Sequence, residues 1–415
     1  MKTMSNNRQA GAVSLFVVIF AMLIITVITV SFLRLMVADQ QQASDADLSQ
    51  SAYDSASAGV EDAKRALLRY QQVCSNNTPA ECSAESAKLS TNVCNAGLLD
   101  VINVADVDGG TPTNPGEVLV RQSAGDTSLN QAYTCVTMQL KTDDYIGTLT
   151  ANKTQLVPLI GETGKTFNTV TIKWFSREDV GNSTGAVDNL NSVTDQRLTA
   201  KGVWPANRPP VLRTQLIQFG DSFKLGDFDI VNTSSQANSV ALFLYPSRAG
   251  GASNSEPFVG NDIRKNDAGD EPDRDTPDNS ALAVKCESSV SSGGYACSMA
   301  LQLPDPIGGR PASGNPTAFL RVTPFYNATE FQVMLSDGVL NSTASNLVKF
   351  QDVQPIIDAT GRANDLFRRV EVRVDLFDTS FPYPDATIDV TGNFCKDFSV
   401  TNTQYIPDTS SRCES

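Results

Sequence analysis

The chain has no histidine in 415 residues. That absence removes Ser-His-Asp and Cys-His nucleophilic catalysis together with every histidine-ligated metal centre. What remains is carboxylate chemistry, or no chemistry. Basic residues are the second shortage: 32 Lys and Arg face 46 Asp and Glu, for a net charge of -14. Such a surface repels nucleic-acid phosphates and anionic lipid, so direct nucleic-acid binding is disfavoured. Glycine-rich phosphate loops and dinucleotide fingerprints are missing too, which removes nucleotide enzymes on motif grounds. The third absence is local, since no ionisable side chain lies between Arg8 and Arg34.

What is present is globular in balance, with 40% apolar and 19% charged residues. A chain of this length can bury a substantial core in two or three domains. The uncharged stretch from Ala12 to Leu33 is 22 residues long, and as a helix it spans about 33 Å, the thickness of a bilayer core. Lys2 and Arg8 precede it and the first acid is Asp39, a bias that keeps the extreme N-terminus in the cytoplasm. Three readings compete for this run. A cleavable secretory signal has a shorter apolar core, of about 7–15 residues, and here would use Met36-Val37-Ala38. A plain single-pass anchor needs only length and hydrophobicity. The third reading depends on the residues beyond Arg34.

After Arg34 the chain turns polar without a helix breaker, and Ala46, Tyr53, Ala56, Val60, Ala63, Leu67 and Tyr70 recur at helical spacings. Gly59 is the single weak point, costing about 1 kcal/mol against alanine. No proline occurs before Pro79. The pattern predicts one helix from Ala12 to about Gln72, roughly 92 Å long, with an apolar half in lipid and an amphipathic half against a partner or its own domain.

A short basic leader ending in Gly11, then Ala12-Val13-Ser14-Leu15-Phe16 and an unbroken apolar helix, resembles the class III signal of type IV pilins and type II secretion pseudopilins. The alanine-rich stretch from Ala52 to Lys64 is similar to the second half of the long helix in large minor pilins. The resemblance covers about the first 70 residues. It implies cleavage by a prepilin peptidase between Gly11 and Ala12, and packing of Val13, Leu15, Phe16, Val17, Ile19 and Phe20 into a filament core of other pilin subunits. It also implies handling by the inner-membrane assembly machinery. Two positions depart from the major-pilin pattern: Ala12 stands where Phe or Met is usual, and Phe16 where the family carries glutamate. A carboxylate buried among apolar helices needs a cation, which in the family is the free N-terminus of the adjoining subunit. Family members without it are large minor subunits that cap the tip, so the expectation is a minor or tip subunit that primes assembly or attaches to host or neighbouring cell surfaces.

Beyond Gln72 the periodicity changes. Thr169–Trp174 and Arg369–Leu376 alternate with period two and read as half-buried strands, the charged second run suiting an edge or solvated face. Ala241–Tyr245 and Phe319–Val322 read as further core strands. Their long, turn-rich spacings favour antiparallel pairing. The expected fold is α+β: a long N-terminal helix, part transmembrane and part amphipathic, then a disulfide-bonded, mainly antiparallel β-rich head. The expected divisions are a leader at 1–11, the helix at 12–72, a β-rich unit at 73–207 closed by Arg208-Pro209-Pro210, and a second at 208–415 interrupted by a 250–279 loop. A single composite domain is the alternative.

Eight cysteines, with neither a Cys-x-x-Cys pair nor a histidine to complete a zinc site, predict disulfides and an oxidising exterior. Cys286 is expected to pair with Cys297 across Ser-Ser-Gly-Gly, and Cys395 with Cys413. Cys74, Cys82, Cys94 and Cys135 leave three connectivities open. Asp262, Asp267, Asp270, Glu271, Asp273, Asp275 and Asp278 crowd 17 residues, where Asp267, Asp270, Asp273 and Asp275 are candidate Ca²⁺ ligands. The EF-hand pattern is not met, and a solvated acidic loop is the competing reading. Asp106 and Asp108 before Gly109-Gly110 form a weaker candidate. No resident cofactor is otherwise called for. The functional expectation is a non-enzymatic, single-pass subunit with its N-terminus inside and its head outside, later extracellular in a pilus or pseudopilus. The alternatives are an anchored binding protein and a glycan hydrolase using paired carboxylates.

Overall fold

The computed structural model describes residues 10–76, 78–102, 107–111, 114–120, 130–187, 190, 201–218, 239–248, 254–257, 281–309, 318–341 and 343–377. Its helices are α1 (Ala10–Asn76), α2 (Pro79–Leu89) and α3 (Ala96–Val101). The strands are β1 (Val107–Thr111), β2 (Asn114–Leu119), β3 (Gln131–Thr142), β4 (Tyr145–Leu149), β5 (Gln155–Pro158), β6 (Thr166–Ser176), β7 (Val211–Gln218) and β8 (Ser239–Arg248). They continue with β9 (Ser255–Pro257), β10 (Leu282–Cys286), β11 (Tyr295–Gly308), β12 (Ala318–Phe325), β13 (Thr329–Ser336), β14 (Leu347–Val348), β15 (Phe350–Ala363) and β16 (Leu366–Arg373). The fold is α+β, a long apolar helix followed by β-rich sheets with three disulfides among the described residues.

At 67 residues α1 runs slightly past both predicted ends. Nothing in its sequence stops it until Thr78, which caps α2 instead: its hydroxyl accepts the Glu81 N–H, while its own N–H donates to the Glu81 carboxylate at 2.9 Å. Pro79 opens α2, where its missing N–H costs nothing. Cys74 is joined to Cys82 across this turn.

The chain divides into two compact units: Met1–Ala66 with Thr91–Thr137 and Ile357–Val372, and Leu67–Ser90 with Met138–Ile356 and Arg373–Ser415. The Arg208-Pro209-Pro210 break lies inside the second unit. One sheet has the order β1-β2-β3-β15-β16. Within the first unit, Asn95 adopts a left-handed backbone (φ 62°) at the start of α3. Its buried amide donates to the carbonyls of Gly116 (3.0 Å) and Thr134 (3.2 Å) and accepts the Val136 N–H (2.8 Å). Beside it Cys94 is joined to Cys135. The sheet ends on β16, whose side chains are mostly exposed or half-exposed, as a strand carrying Arg369 and Glu371 requires.

The second unit holds a sheet of order β14-β13-β6-β11-β10-β8-β7-β12-β5, with β4 beside β13 and β9 beside β11. Its pairings are antiparallel except β8 with β10 and β9 with β11. Strands β5 and β6, from before residue 207, thus pair with β11, β12 and β13 from after it. The core gathers Trp174, Phe167, Tyr145, Phe331 and Phe350, each fully buried. Here one expectation is corrected: β6 is not half-buried. It lies between β11 and β13, and its second face, Thr169 (1% exposed) and Thr171 (5%), is covered as well. Threonine on the outer register mimics a solvated face in sequence, while its methyl group tolerates burial. Cys286 and Cys297 are joined directly across the β10–β11 pair.

Candidate functional site

The first half of α1 is a rod that none of the described residues covers. Every large apolar side chain from Leu15 to Val37 is exposed, Phe16 at 73%. These side chains surround the helix on all faces, so no single docking stripe exists. The polar residues within the run are self-satisfied: the Thr26 hydroxyl donates to the carbonyls of Met22 (3.0 Å) and Leu23 (2.9 Å), Thr29 to Ile25 (2.8 Å) and Ser31 to Val27 (2.8 Å). A hydroxyl bonded to its own helix enters hydrocarbon at reduced cost. The helix is long and apolar enough to cross a membrane. At roughly 0.3–0.6 kcal/mol for each centrally placed Leu, Ile, Phe or Val, insertion of this run is favourable by on the order of 5–8 kcal/mol.

The second half is seated on the sheet of the first unit. Ala52, Ser55, Ala56, Val60, Ala63 and Ala66 are all buried. Small side chains let backbones approach, and two glycines take the approach to its limit. A Cβ on Gly361 of β15 would lie 2.2 Å from the Ala56 nitrogen and 2.3 Å from the Ala52 oxygen. Strand backbone therefore rests directly on helix backbone there. On the helix side, a Cβ on Gly59 would meet Val136 Cγ2 at 2.8 Å and Tyr133 Cγ at 3.1 Å. Gly59, expected as a weak point, is instead the place where β3 fits.

Polar contacts fix the register of this seat. Tyr133, 1% exposed, donates its hydroxyl to the Asp62 carboxylate at 3.0 Å, and Asp62 also takes Arg65 at 2.9 Å. Burial first, and then the Asp62 charge, pushes the Tyr133 phenol well above its usual range. The buried Ser55 hydroxyl donates to Ser51 O at 2.9 Å, and Arg368 Nε donates to Ser49 Oγ at 2.7 Å.

Of the residues singled out from sequence, Gly11, Ala12 and Val13 lie in the helical backbone, with their side chains outside the described residues. Leu15, Phe16, Val17, Ile19 and Phe20 are exposed on the rod. The predicted stripe is corrected at its start: Ala46 is exposed because packing begins only at about Ala52, and Tyr53 is 49% exposed because it lies beside the buried face of Ala52, Ser55 and Ala56. The stripe missed Ala52, Ser55 and Ala66, and nothing in it named Tyr133, Asp62 or Gly361. A glycine in a strand run, as at Thr360-Gly361-Arg362, is the signal that marks close backbone approach. The four cysteines with open connectivity pair 74–82 and 94–135. Cys395, Cys413, Asp106 and the acids Asp262, Asp267, Asp270, Glu271, Asp273, Asp275 and Asp278 lie outside the described residues, as does the Asp108 side chain. Among the described residues no cluster of three or more metal-ligating side chains occurs.

Two carboxylates of the second unit, half-buried Asp179 and buried Asp352, serve as clamps. Asp179 accepts the N–H groups of Ser176 (2.8 Å) and Glu330 (2.9 Å), and burial pushes its carboxyl above the usual range. Asp352, at φ 59°, accepts the Tyr70 hydroxyl at 2.9 Å. The three disulfides among the described residues suit an oxidising compartment for the β-rich portion. Comparison with protein-family models, curated proteins and solved structures finds no match.

Proposed function

We propose that the protein is a minor subunit of a type IV pilus or a related pseudopilus, placed at or near its tip. The observation that carries this reading is a single unbroken helix whose first half is apolar on every face and whose second half is seated on a sheet. In this reading the basic leader stays in the cytoplasm, the apolar half holds the subunit in the membrane, and prepilin peptidase cuts after Gly11. The freed rod then leaves the lipid for a bundle of neighbouring pilin helices, where Leu15, Phe16, Val17, Ile19 and Phe20 pack. Exposure on every face suits both environments, since neither lipid nor a surrounding bundle selects one stripe. Phe16 supplies no carboxylate for the N-terminus of a subunit ahead, which suits the tip. The β-rich head, acting without catalysis, primes assembly or binds a host or neighbouring cell surface.

The test is the N-terminal residue of the protein recovered from membranes and from sheared surface fibres. Ala12 is expected in both. Met1 would leave a static anchor carrying an external binding module, and Asp39 a secreted protein.

A further inference from the structure

The second unit contains a cluster that the proposed assembly role does not use. Residues 201–210 read Lys-Gly-Val-Trp-Pro-Ala-Asn-Arg-Pro-Pro, and the three prolines stiffen the segment while removing backbone donors from it. Asn327 fixes it further, donating to the carbonyls of Pro205 (2.8 Å), Ala206 (3.3 Å) and Arg208 (2.9 Å). Arg208 is thereby held with only 4% of its surface exposed. Its guanidinium carbon stands 3.9 Å from the centroid of Trp204 and 5.5 Å from that of Tyr245, and its Nη2 donates to the Tyr245 hydroxyl at 2.9 Å. Tyr326, at φ 82°, stacks parallel to Trp204 with centroids 4.2 Å apart.

Arg362 is paired with Glu117, and Arg373 with Asp144 at 2.8 Å, although both are less buried than Arg208. Among the described residues Arg208 has no such partner, and its Nε, like the Nε1 of Trp204, is buried without an acceptor. Buried charges are ordinarily paired, and buried N–H groups ordinarily donate. Ring faces offset part of the lost hydration of a guanidinium but accept no in-plane N–H bond. The cluster thus combines one unneutralised positive charge with two unused donors. Stacking of Trp204 against both Arg208 and Tyr326 leaves no ring face for a sugar, which restricts a ligand to atoms that reach the N–H edges. Burial restricts it further to something compact.

We propose that Arg208 and Trp204 form a binding site for a small monovalent anion, a halide or a compact carboxylate. The chain as a whole carries a charge of -14, so a saturable anion effect cannot arise from general attraction to its surface.

The experiment uses the full chain in neutral detergent micelles, with thermal unfolding followed at constant ionic strength while gluconate is replaced stepwise by chloride or by formate. A saturable rise in Tm is expected with at least one of the two small anions, and which one acts distinguishes a spherical from a forked ligand. Arg208→Met is expected to abolish the dependence. Trp204→Phe, which keeps a ring and loses the N–H, is expected to weaken the apparent Kd about tenfold. Should Arg208→Met fail to fold, Arg208→Lys, which removes the planar fork, together with Trp204→Phe carries the test. A wild-type Tm indifferent to both anions overturns the proposal, as do variants that titrate like the wild type.

Discussion

Residues 15–37 and residues 52–66 belong to one unbroken helix, yet the first stretch exposes all its large apolar side chains while the second buries alanine, serine, glycine and valine. Hydrophobicity alone would predict the reverse. The difference is one of partner. A helix that meets another backbone at van der Waals distance gains from small residues, because contact density rises as the axes approach. A helix that must satisfy a fluid apolar medium gains from area, so Leu, Ile, Val and Phe dominate. The composition of each half therefore reports what surrounds it, and the change near Arg34 marks where the surroundings change.

The largest effect that can break this contrast is a pair of charges in the apolar half. Ile24→Asp with Ile28→Asp should cost about 5–7 kcal/mol of insertion, at roughly 2.5–3.5 for each aspartate near the span centre. That equals the whole estimated gain, so the double variant should leave the alkali-resistant membrane fraction. Unfolding of the β-rich portion should stay within about 0.5 kcal/mol of wild type. A variant that remains membrane-bound would show that the rod is not what holds the protein there.

A smaller effect probes the other half. Gly361→Ala drives a methyl group into the Ala52 and Ala56 backbone, and neither helix nor strand can yield cheaply. The expected cost is about 3 kcal/mol, at the upper end for overpacking, read as loss of amide-exchange protection over residues 52–66. Gly59→Ala should cost less. Its nearest obstacle is a valine methyl group, and the helix gains about 1 kcal/mol in propensity. Equal costs at the two glycines would mean that the seat is looser than its geometry.

The long helix was legible because no breaker interrupts it and its second half, from Ala46 to Tyr70, carries helical spacing. Its apolar half was legible because charge is absent from Gln9 to Leu33. The seat was only partly legible. Large residues at helical spacing mark a conventional buried stripe, and this interface is made by Ala52, Ser55, Gly59 and Gly361, which periodicity counts as neutral. The covered second face of β6 was hidden for a related reason: Thr169 and Thr171 look polar, and only the neighbouring strands decide whether they are wet. Sheet order was beyond reach, because pairings such as β6 with β11 join residues more than a hundred positions apart. Among the described residues, disulfide pairing was legible only at the short hairpin of Cys286 and Cys297.

The smallest effect concerns the proton between Tyr133 and Asp62. Removing the hydroxyl in Tyr133→Phe deletes one bond to a half-shielded carboxylate, and should cost about 1–2 kcal/mol. The pH dependence is set by the direction of the shift. The phenol is raised in the folded protein, so the fold favours its protonated form. The associated stability is fully present below the ordinary phenol value of about 10 and is lost as pH rises through the higher folded value. Wild type should therefore lose stability relative to Tyr133→Phe only in strongly alkaline solution, and the two should run parallel from neutral pH to about 9. Absorbance at 295 nm gives a direct check: the difference between the two titrations should contain one phenol that ionises far above the ordinary value. A difference curve centred near 10 would mean that Tyr133 is wet. In that case the second half of α1 is not held down on its sheet, and the contrast between the two halves of the helix disappears.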